Sequence, residues 1–283
     1  MPASLLHQYR RSRISCCLVS LAATLLMTAS AQAVEVVRGS ITQGGMVILK
    51  AAADSWLSLD GKPLRLSPQG LAVIGFHRDD NSTVSLVEHR SDGTMHTLQL
   101  APTTRKYLEQ RIDGLPKAMV TPPQAVLDRI KRDREAVIRA RSHDTALDAF
   151  AGGFRWPVRG IVTGVYGSRR ILNGKPRAPH YGIDIAAAAG TPVIAPQAGI
   201  IRMVEDLYFT GWTVILDHGH GITSAFLHLK QAMVSPGQQV AAGAVIGHVG
   251  STGRSTGAHL DWRINWFGKR LDPQLIAGPM PKD

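Results

Sequence analysis

From residue 154 onward, glycine and proline interrupt the apolar segments so often that few windows could form a helix of ordinary length. The chain has 28 glycines and 16 prolines in 283 residues, and the runs between them are short and of β type, as at 161–163, 193–195 and 213–216. Short runs bounded by such residues are typical of β-strands. The C-terminal segment, 153–278, is therefore predicted to be a mainly antiparallel β domain with functional loops.

The region 34–101 shows a related pattern. Its short apolar runs are separated by turn-forming pairs and lie at 47–49, 56–59, 71–74, 84–87 and 95–100. Turn residues at this spacing favour tight connections between antiparallel strands. We predict a small β-sandwich or barrel-like domain at 34–101. Three of its residues could bind metal but lack ligand spacing, and we expect them to be ordinary surface or half-buried histidines: His77, His89 and His96.

Residues 102–152 differ in composition and are predicted to form a helical linker. Thr121 offers an N-cap ahead of two prolines, and apolar residues then recur at helical spacing among many arginines. The pattern indicates an amphipathic helix with a basic face that connects and braces two domains. A role at a membrane surface is less favoured, because the apolar stripe is thin.

The first 33 residues have the order of a secretory signal peptide. A polar stretch with three arginines precedes an uncharged, mostly apolar run and then Ala31-Gln32-Ala33, so we expect cleavage after Ala33. An uncleaved membrane anchor is the alternative, although the run is shorter than the roughly 20 residues that a spanning helix needs. Cys16 and Cys17 both lie in this segment, so the mature chain would have no disulfide or thiolate chemistry.

The charge balance restricts the partners of such an exported chain. Removing the first 33 residues leaves 29 basic and 21 acidic residues, a net charge of +8. Outside the cytoplasm this points to an anionic polymer or membrane surface, although scattered charge that only aids solubility explains it equally well. Nucleic acid is not expected as a partner, and we expect no stable membrane span after signal cleavage.

The alternation at 179–185 places metal-binding side chains together. In an extended strand His180, Gly182 and Asp184 lie on one face, and the residues between them lie on the other. At 257–262 the same spacing puts His259 and Asp261 on one face. His228 lies alone in an apolar strand, where a histidine is more often structural. A hydrolytic zinc site needs three such ligands and nearby acid–base groups, and this segment supplies both.

These motifs resemble the lysostaphin/LytM-type zinc metallopeptidase family of cell-wall endopeptidases over about 154–273. The matching stretches occur in the family's order at 163–169, 180–186, 190–195, 214–219, 226–229, 247–253 and 255–260. The resemblance implies a mostly antiparallel β fold with a groove whose floor holds one zinc ion. It makes His180 and Asp184 ligands of that zinc and His228 and His259 catalytic histidines that do not bind it.

The chain departs from the family pattern at the third ligand, where Asp261 replaces the usual histidine. Aspartate oxygen can bind Zn²⁺, so one histidine and two aspartates still supply three ligands. The second carboxylate makes the site formally neutral and favours Mn²⁺ somewhat more, with zinc still the expected metal. Other polar or aromatic residues nearby are expected to have turn, packing or supporting roles: Tyr166, Asp217, His218, His220, His248, Trp262 and Trp266.

The resemblance implies metal-assisted hydrolysis of peptide cross-links in peptidoglycan, with His228 and His259 orienting water, moving protons or stabilising the oxyanion. The expected location is the periplasm or cell envelope. The alternative is a catalytically inactive LytM-like wall-binding protein that regulates another cell-wall hydrolase. A further hypothesis is autoinhibition, in which the N-terminal domain and the basic helix partly cover the groove.

Overall fold

The computed structural model describes residues 33–114 and 120–281. The signal segment, with Cys16 and Cys17, lies outside the described residues except for Ala33, so its prediction stays a prediction. None of the helices in the described ranges has the length and apolar character needed to cross a bilayer.

The N-terminal region contains eight strands. They are β1 (Glu35–Gly39), β2 (Met46–Lys50), β3 (Ser55–Leu59), β4 (Lys62–Leu64), β5 (Leu71–Gly75), β6 (Val84–Arg90), β7 (Met95–Leu100) and β8 (Glu109–Ile112). The strands form a three-stranded sheet β1-β2-β5 and a four-stranded sheet β4-β3-β6-β7, both antiparallel. The predicted apolar runs therefore lie on strands, with tight turns between several of them.

The linker region contains a 3₁₀ turn (Gln124–Val126) followed by helix α1 (Leu127–Arg141), and a second 3₁₀ turn lies at Ala149–Ala151. The predicted helix is thus confirmed, but its cap is not. Val126 is the N-cap residue and makes no side-chain cap bond, whereas the hydroxyl of Thr121 accepts a hydrogen bond from Lys175. The prediction of Thr121 as N-cap was wrong because the 3₁₀ turn delays the start of the helix.

The C-terminal region contains twelve strands and a short helix. They are β9 (Ile161–Gly164), β10 (Arg169–Leu172), β11 (Lys175–Arg177), β12 (Ile183–Ala186), β13 (Pro192–Ile194), β14 (Gly199–Leu207), β15 (Gly211–Gly219), β16 (Ile222–Ala232), β17 (Gln239–Val240), β18 (Val245–Val249), β19 (His259–Trp266), β20 (Lys269–Leu271) and α2 (Pro273–Ala277).

A ten-stranded sheet dominates this region and runs β17-β14-β15-β16-β19-β12-β9. Strand β18 pairs with β13 and β16, and β20 pairs with β19. These pairings are all antiparallel; in a separate sheet β8 pairs with β10 in parallel and β10 pairs with β11. The predicted mainly β, antiparallel fold is confirmed.

The main core draws side chains from both β regions. Phe226 and Trp262 are fully buried in the large sheet, and Leu49 and Phe76 are fully buried in the N-terminal strands. At their contact, a Cβ on Gly75 would lie 2.8 Å from side-chain atoms of Leu271 and Trp266. The boundaries at 34–101, 102–152 and 153–278 stay predictions, and β8 shows that chain within the predicted linker also joins a sheet.

Helix α1 packs on one face of the large sheet. Ala140 is buried there, with Ala136 and Val137 partly buried beside it. The sheet contributes buried residues from three neighbouring strands, namely Met203, Leu207, Ile215, Ala225 and Leu227. The small residues near the end of the helix therefore bring it close to the strands, whereas Leu127 at its start is 40% exposed.

Candidate metal centre and catalytic histidines

The pairing of β12 with β19 sets the geometry of the site. Asp184 lies directly opposite Asp261, and Ala186 lies opposite His259. Because directly opposed residues share a face of the sheet, both carboxylates and the His259 ring project to the same side. Two like charges in this arrangement repel one another unless a cation lies between or beside them.

His180 completes the cluster from the turn before β12. Its backbone N–H donates to the carbonyl of Ser168 at 2.9 Å, which fixes the turn. One potential ligand atom from each of His180, Asp184 and Asp261 lies within 4.8 Å of the others. His180 and Asp261 are 1% and 2% exposed. The structure thus brings together the three residues predicted as ligands.

Two glycines make room for the carboxylates. A Cβ on Gly164 would lie 2.3 Å from Oδ2 of Asp184, and one on Gly182 would lie 2.5 Å from Oδ1 of Asp261. Both distances are far below van der Waals contact, so a side chain at either position would displace a carboxylate. The space that the sequence predicted around Gly182 therefore lies beside Asp261.

Each carboxylate has its own arginine. Nη2 of Arg170 lies 2.8 Å from Oδ2 of Asp184, and Arg263 donates to both oxygens of Asp261. Burial raises the pKa of Asp261, but Arg263 and His180 outweigh it and hold that pKa well below its usual range. For Asp184, burial again raises the pKa, and His180 and Arg170 lower it further than burial raises it. Both acids are ionised at neutral pH.

A β-bulge turns His228 toward the cluster. Leu227 pairs with Asp261 and so shares its face, which in a regular strand would put His228 on the opposite face. The pairing of β16 with β15 shifts register here, and His228 has a left-handed backbone with φ of 62°. Its ring centroid consequently lies 4.8 Å from that of His259.

The two histidines are held in matching tautomers. Nδ1 of His228 lies 2.7 Å from the carbonyl of Thr252, and Nδ1 of His259 lies 2.9 Å from that of Gly257. A carbonyl can only accept, so Nδ1 carries the proton in both rings and Nε2 of the neutral ring has a free lone pair. Nε2 of His259 lies 3.9 Å from Oδ1 of Asp184. Burial lowers the pKa of His228, which favours its neutral form.

The cluster fits a metal ion. Within the described ranges neither buried ring nitrogen of His180 has a hydrogen-bond partner, although Nε2 lies 3.1 Å from Oδ1 of Asp184. Two ligands of one tetrahedral zinc are about 3.3 Å apart, given bonds of about 2.0 Å. One imidazole and two carboxylates are also donors that zinc accepts. His180, Asp184 and Asp261 would hold the ion.

The supporting residues predicted from sequence lie elsewhere in the fold. Asp217 and His218 are fully buried within the sheet, and His218 bonds the carbonyl of Ala198 and the hydroxyl of Ser224 at 2.8 Å each. The remaining residues have packing or peripheral positions. His220 packs on Phe150, Tyr166 donates to the carbonyl of Arg270, His248 lies beside Gln231, and Trp262 and Trp266 are buried.

Sequence reasoning missed Arg170 and Arg263. Arg263 follows Asp261 by two residues on β19, so extending the alternation of His259 and Asp261 by one step would have placed it on the same face. Arg170 lies on β10, which pairs with neither β12 nor β19, and no local pattern indicates its contact with Asp184.

Comparison with known proteins identifies the C-terminal segment. Residues 178–273 match the sequence profile of "Peptidase family M23". Over 103 residues the chain is 36% identical to the peptidoglycan DD-endopeptidase ShyA of Vibrio cholerae, a match that covers 36% of this chain and 24% of ShyA. Over 164 residues it is 34% identical to the murein hydrolase activator EnvC of Escherichia coli, covering 55% of this chain and 38% of EnvC. The chain thus spans only a minor part of the length of either relative.

The fold has a counterpart among solved structures. A crystal structure from Pseudomonas aeruginosa, provisionally named peptidase M23, superposes with a TM-score of 0.62 and 27% sequence identity. The match covers 85% of this chain and 96% of the other, so it includes strands outside the profile match. Residues 178–273 of this chain are therefore a domain of peptidase family M23, the LytM-type family that its motifs resemble.

Proposed function

We propose that the protein is an exported zinc metalloendopeptidase that hydrolyses peptide cross-links of bacterial peptidoglycan. One observation carries the proposal. His228 and His259 both bind backbone carbonyls through Nδ1, which leaves two Nε2 lone pairs beside the point where His180, Asp184 and Asp261 converge. A purely structural cluster has no need of two such preoriented bases.

The chemistry divides between the ion and the two histidines. A bound zinc ion supplies Lewis-acid chemistry, drawing electron density from the scissile carbonyl and acidifying water. Nε2 of His228 or His259 accepts the proton that the attacking water loses, and a protonated ring then donates to the leaving amine. The carbonyls of Thr252 and Gly257 keep each ring oriented while it gains and loses a proton.

Three considerations support a cell-wall substrate. ShyA acts on peptidoglycan as a DD-endopeptidase by its name, and we assign this chain the same class of bond, a D-alanyl cross-link. The net charge of +8 after signal cleavage suits an anionic polymer. The signal-like first 33 residues suit the periplasm or cell envelope, where this polymer lies.

The test is digestion of purified sacculi followed by mass spectrometry of the released fragments. The wild-type protein with zinc should release cross-link fragments, and His228→Ala should release at least about 10²-fold less, because a positioned base contributes that much or more. His248→Ala is the matched control, since His248 lies beside Gln231 outside the cluster. Release by His228→Ala at the wild-type rate would contradict the proposal.

A second candidate is a non-catalytic regulator of another cell-wall hydrolase. The arginines favour it, because Arg170 and Arg263 already neutralise the two carboxylates that would hold the ion. EnvC, a murein hydrolase activator by name, is a relative over 55% of this chain. Bound zinc without any fragment release, unchanged in Asp261→His, would favour this candidate over the peptidase.

We also propose that helix α1 limits entry to the site. Ala140 packs against Leu227, which pairs with Asp261 on the site's face, so the helix covers that face. A cavity of about 790 Å³ remains between them, lined by residues that include Val137, Leu227 and Arg263. Ala140→Asp should loosen the helix and raise the cleavage rate, whereas the exposed Arg139→Asp should not. An unchanged rate for Ala140→Asp would end this idea.

A further inference from the structure

Asp261 already has a cation bound to both of its oxygens. Nε of Arg263 lies 3.0 Å from Oδ1 and 3.2 Å from Oδ2, and Nη2 also bonds Oδ2. Asp261 is 2% exposed and the Arg263 side chain 21% exposed. Charge-assisted bonds from one guanidinium to both oxygens are among the strongest polar contacts in proteins, and burial strengthens them.

The strand register shows why a cation is needed there. Asp184 and Asp261 face one another across β12 and β19, and both are largely removed from water. Arg170 offsets the charge of Asp184, and Arg263 offsets that of Asp261. Two guanidinium groups thus balance two carboxylates before any metal ion arrives, which lets the strands pair as they do.

We infer that Arg263 is the counter-cation of Asp261 and competes with the metal ion for it. The inference rests on the metal site of the proposed function and concerns how tightly that site binds. Arg263 draws electron density from the same oxygens that would bind zinc, and its positive charge opposes a dication a few ångströms away. Arg263 therefore keeps the metal-free site stable and lowers the affinity of the site for the metal.

This role makes a prediction opposite to that of a residue that only orients Asp261. Loss of an orienting partner weakens metal binding, typically by about 10- to 100-fold. Loss of a competing counter-cation strengthens metal binding and makes the metal-free protein less stable. The sign of the change in zinc affinity after removal of Arg263 therefore distinguishes the two roles.

The experiment measures zinc affinity by competition with a chelator, and the thermal midpoint with and without zinc, on the full mature chain. Arg263→Met should bind zinc at least about tenfold more tightly than wild type, and zinc should raise its melting temperature more. Arg263→Lys keeps the charge and should stay close to wild type. Arg202→Met, which removes the arginine of the distant Asp217 pair, is the matched control and should leave zinc affinity unchanged.

A double-mutant cycle ties the effect to Asp261. In an Asp261→Asn background, Arg263→Met should no longer increase zinc affinity. An Arg263→Met protein that folds only when zinc is present also supports the inference. Equal or weaker zinc binding by Arg263→Met would overturn it, whether or not the protein cleaves sacculi. Conversely, tighter zinc binding without any cleavage would overturn the peptidase proposal and leave the role of Arg263 standing.

Discussion

Two groups of buried acids in the large sheet use similar residues for different ends. Asp217 is fully buried, and its Oδ2 accepts from Arg202 at 2.8 and 3.0 Å and from Thr145 at 3.1 Å. Its Oδ1 accepts from the backbone of Gly219 at 2.9 Å. This acid has one arginine, no facing acid and several donors, as expected of an ion pair that only stabilises the fold.

The second group is built against its own stability. Asp184 faces Asp261, and the buried ring of His180 has no hydrogen-bond partner among the described residues. A glycine beside each carboxylate keeps the space open. Burying like charges and an unpaired imidazole costs free energy that a structural cluster would avoid. The difference teaches that incomplete bonding around convergent donors, more than burial or charge, marks the functional acids.

The sharpest test of this difference is to remove His180. His180→Ala should lower fragment release from sacculi by at least about 10³-fold, because the zinc chemistry depends on its ligands. Its melting temperature without zinc should stay near that of wild type, since the ring makes no hydrogen bond that folding would lose. A large loss of stability in metal-free His180→Ala would show that the cluster is structural after all.

Removing Asp217 should have the reverse outcome. Asp217→Ala leaves the Arg202 guanidinium without its carboxylate, and breaking a buried pair costs about 4 kcal/mol. Urea denaturation of the two proteins would measure this loss. Activity per folded molecule and zinc affinity should match wild type, because Asp217 is not part of the convergent cluster. Lost zinc binding in a folded Asp217→Ala protein would erase the distinction between the two groups.

His218, next to Asp217, should make the structural group sensitive to acid. Burial lowers the pKa of His218 from 6.5 to about 4, against weaker opposing effects of its bond to Ala198 and of Asp217. Since the folded state resists protonation, its contribution is complete above pH 6.5 and is lost as the pH falls toward 4. The total is about 3 kcal/mol. His218→Gln should flatten the dependence of unfolding free energy on pH over this range, whereas the exposed His143→Gln should not. Equal slopes for wild type and His218→Gln would refute this.

Alternation in the sequence was enough to place four of the five predicted site residues. His180, Asp184, His259 and Asp261 lie where an extended chain would put them, because β12 and β19 pair without a bulge in this stretch. His228 was predicted only through the resemblance. Its position depends on a bulge and a left-handed backbone, and neither leaves a mark in the order of apolar and polar residues.

Contacts between distant segments were beyond the sequence for a different reason. Thr252 and Gly257 act through backbone carbonyls, which any residue type could supply. Arg170 reaches Asp184 from a strand in another sheet, and this depends on tertiary packing alone. The mainly β fold and the linker helix were predictable because turn residues and local periodicity determine them.

The smallest predicted effect concerns the space around the carboxylates. Gly164→Ala would place a methyl group 2.3 Å from Oδ2 of Asp184, and its three nearest neighbours all belong to that side chain. The carboxylate must therefore move away from its place opposite Asp261, and zinc affinity should fall about tenfold, as for other disturbed metal sites. Gly153→Ala is the matched control, because nothing lies within 4 Å of its added Cβ. Unchanged zinc affinity in Gly164→Ala would mean that the position of Asp184 does not limit binding, and the metal centre would then depend on His180 and Asp261 alone.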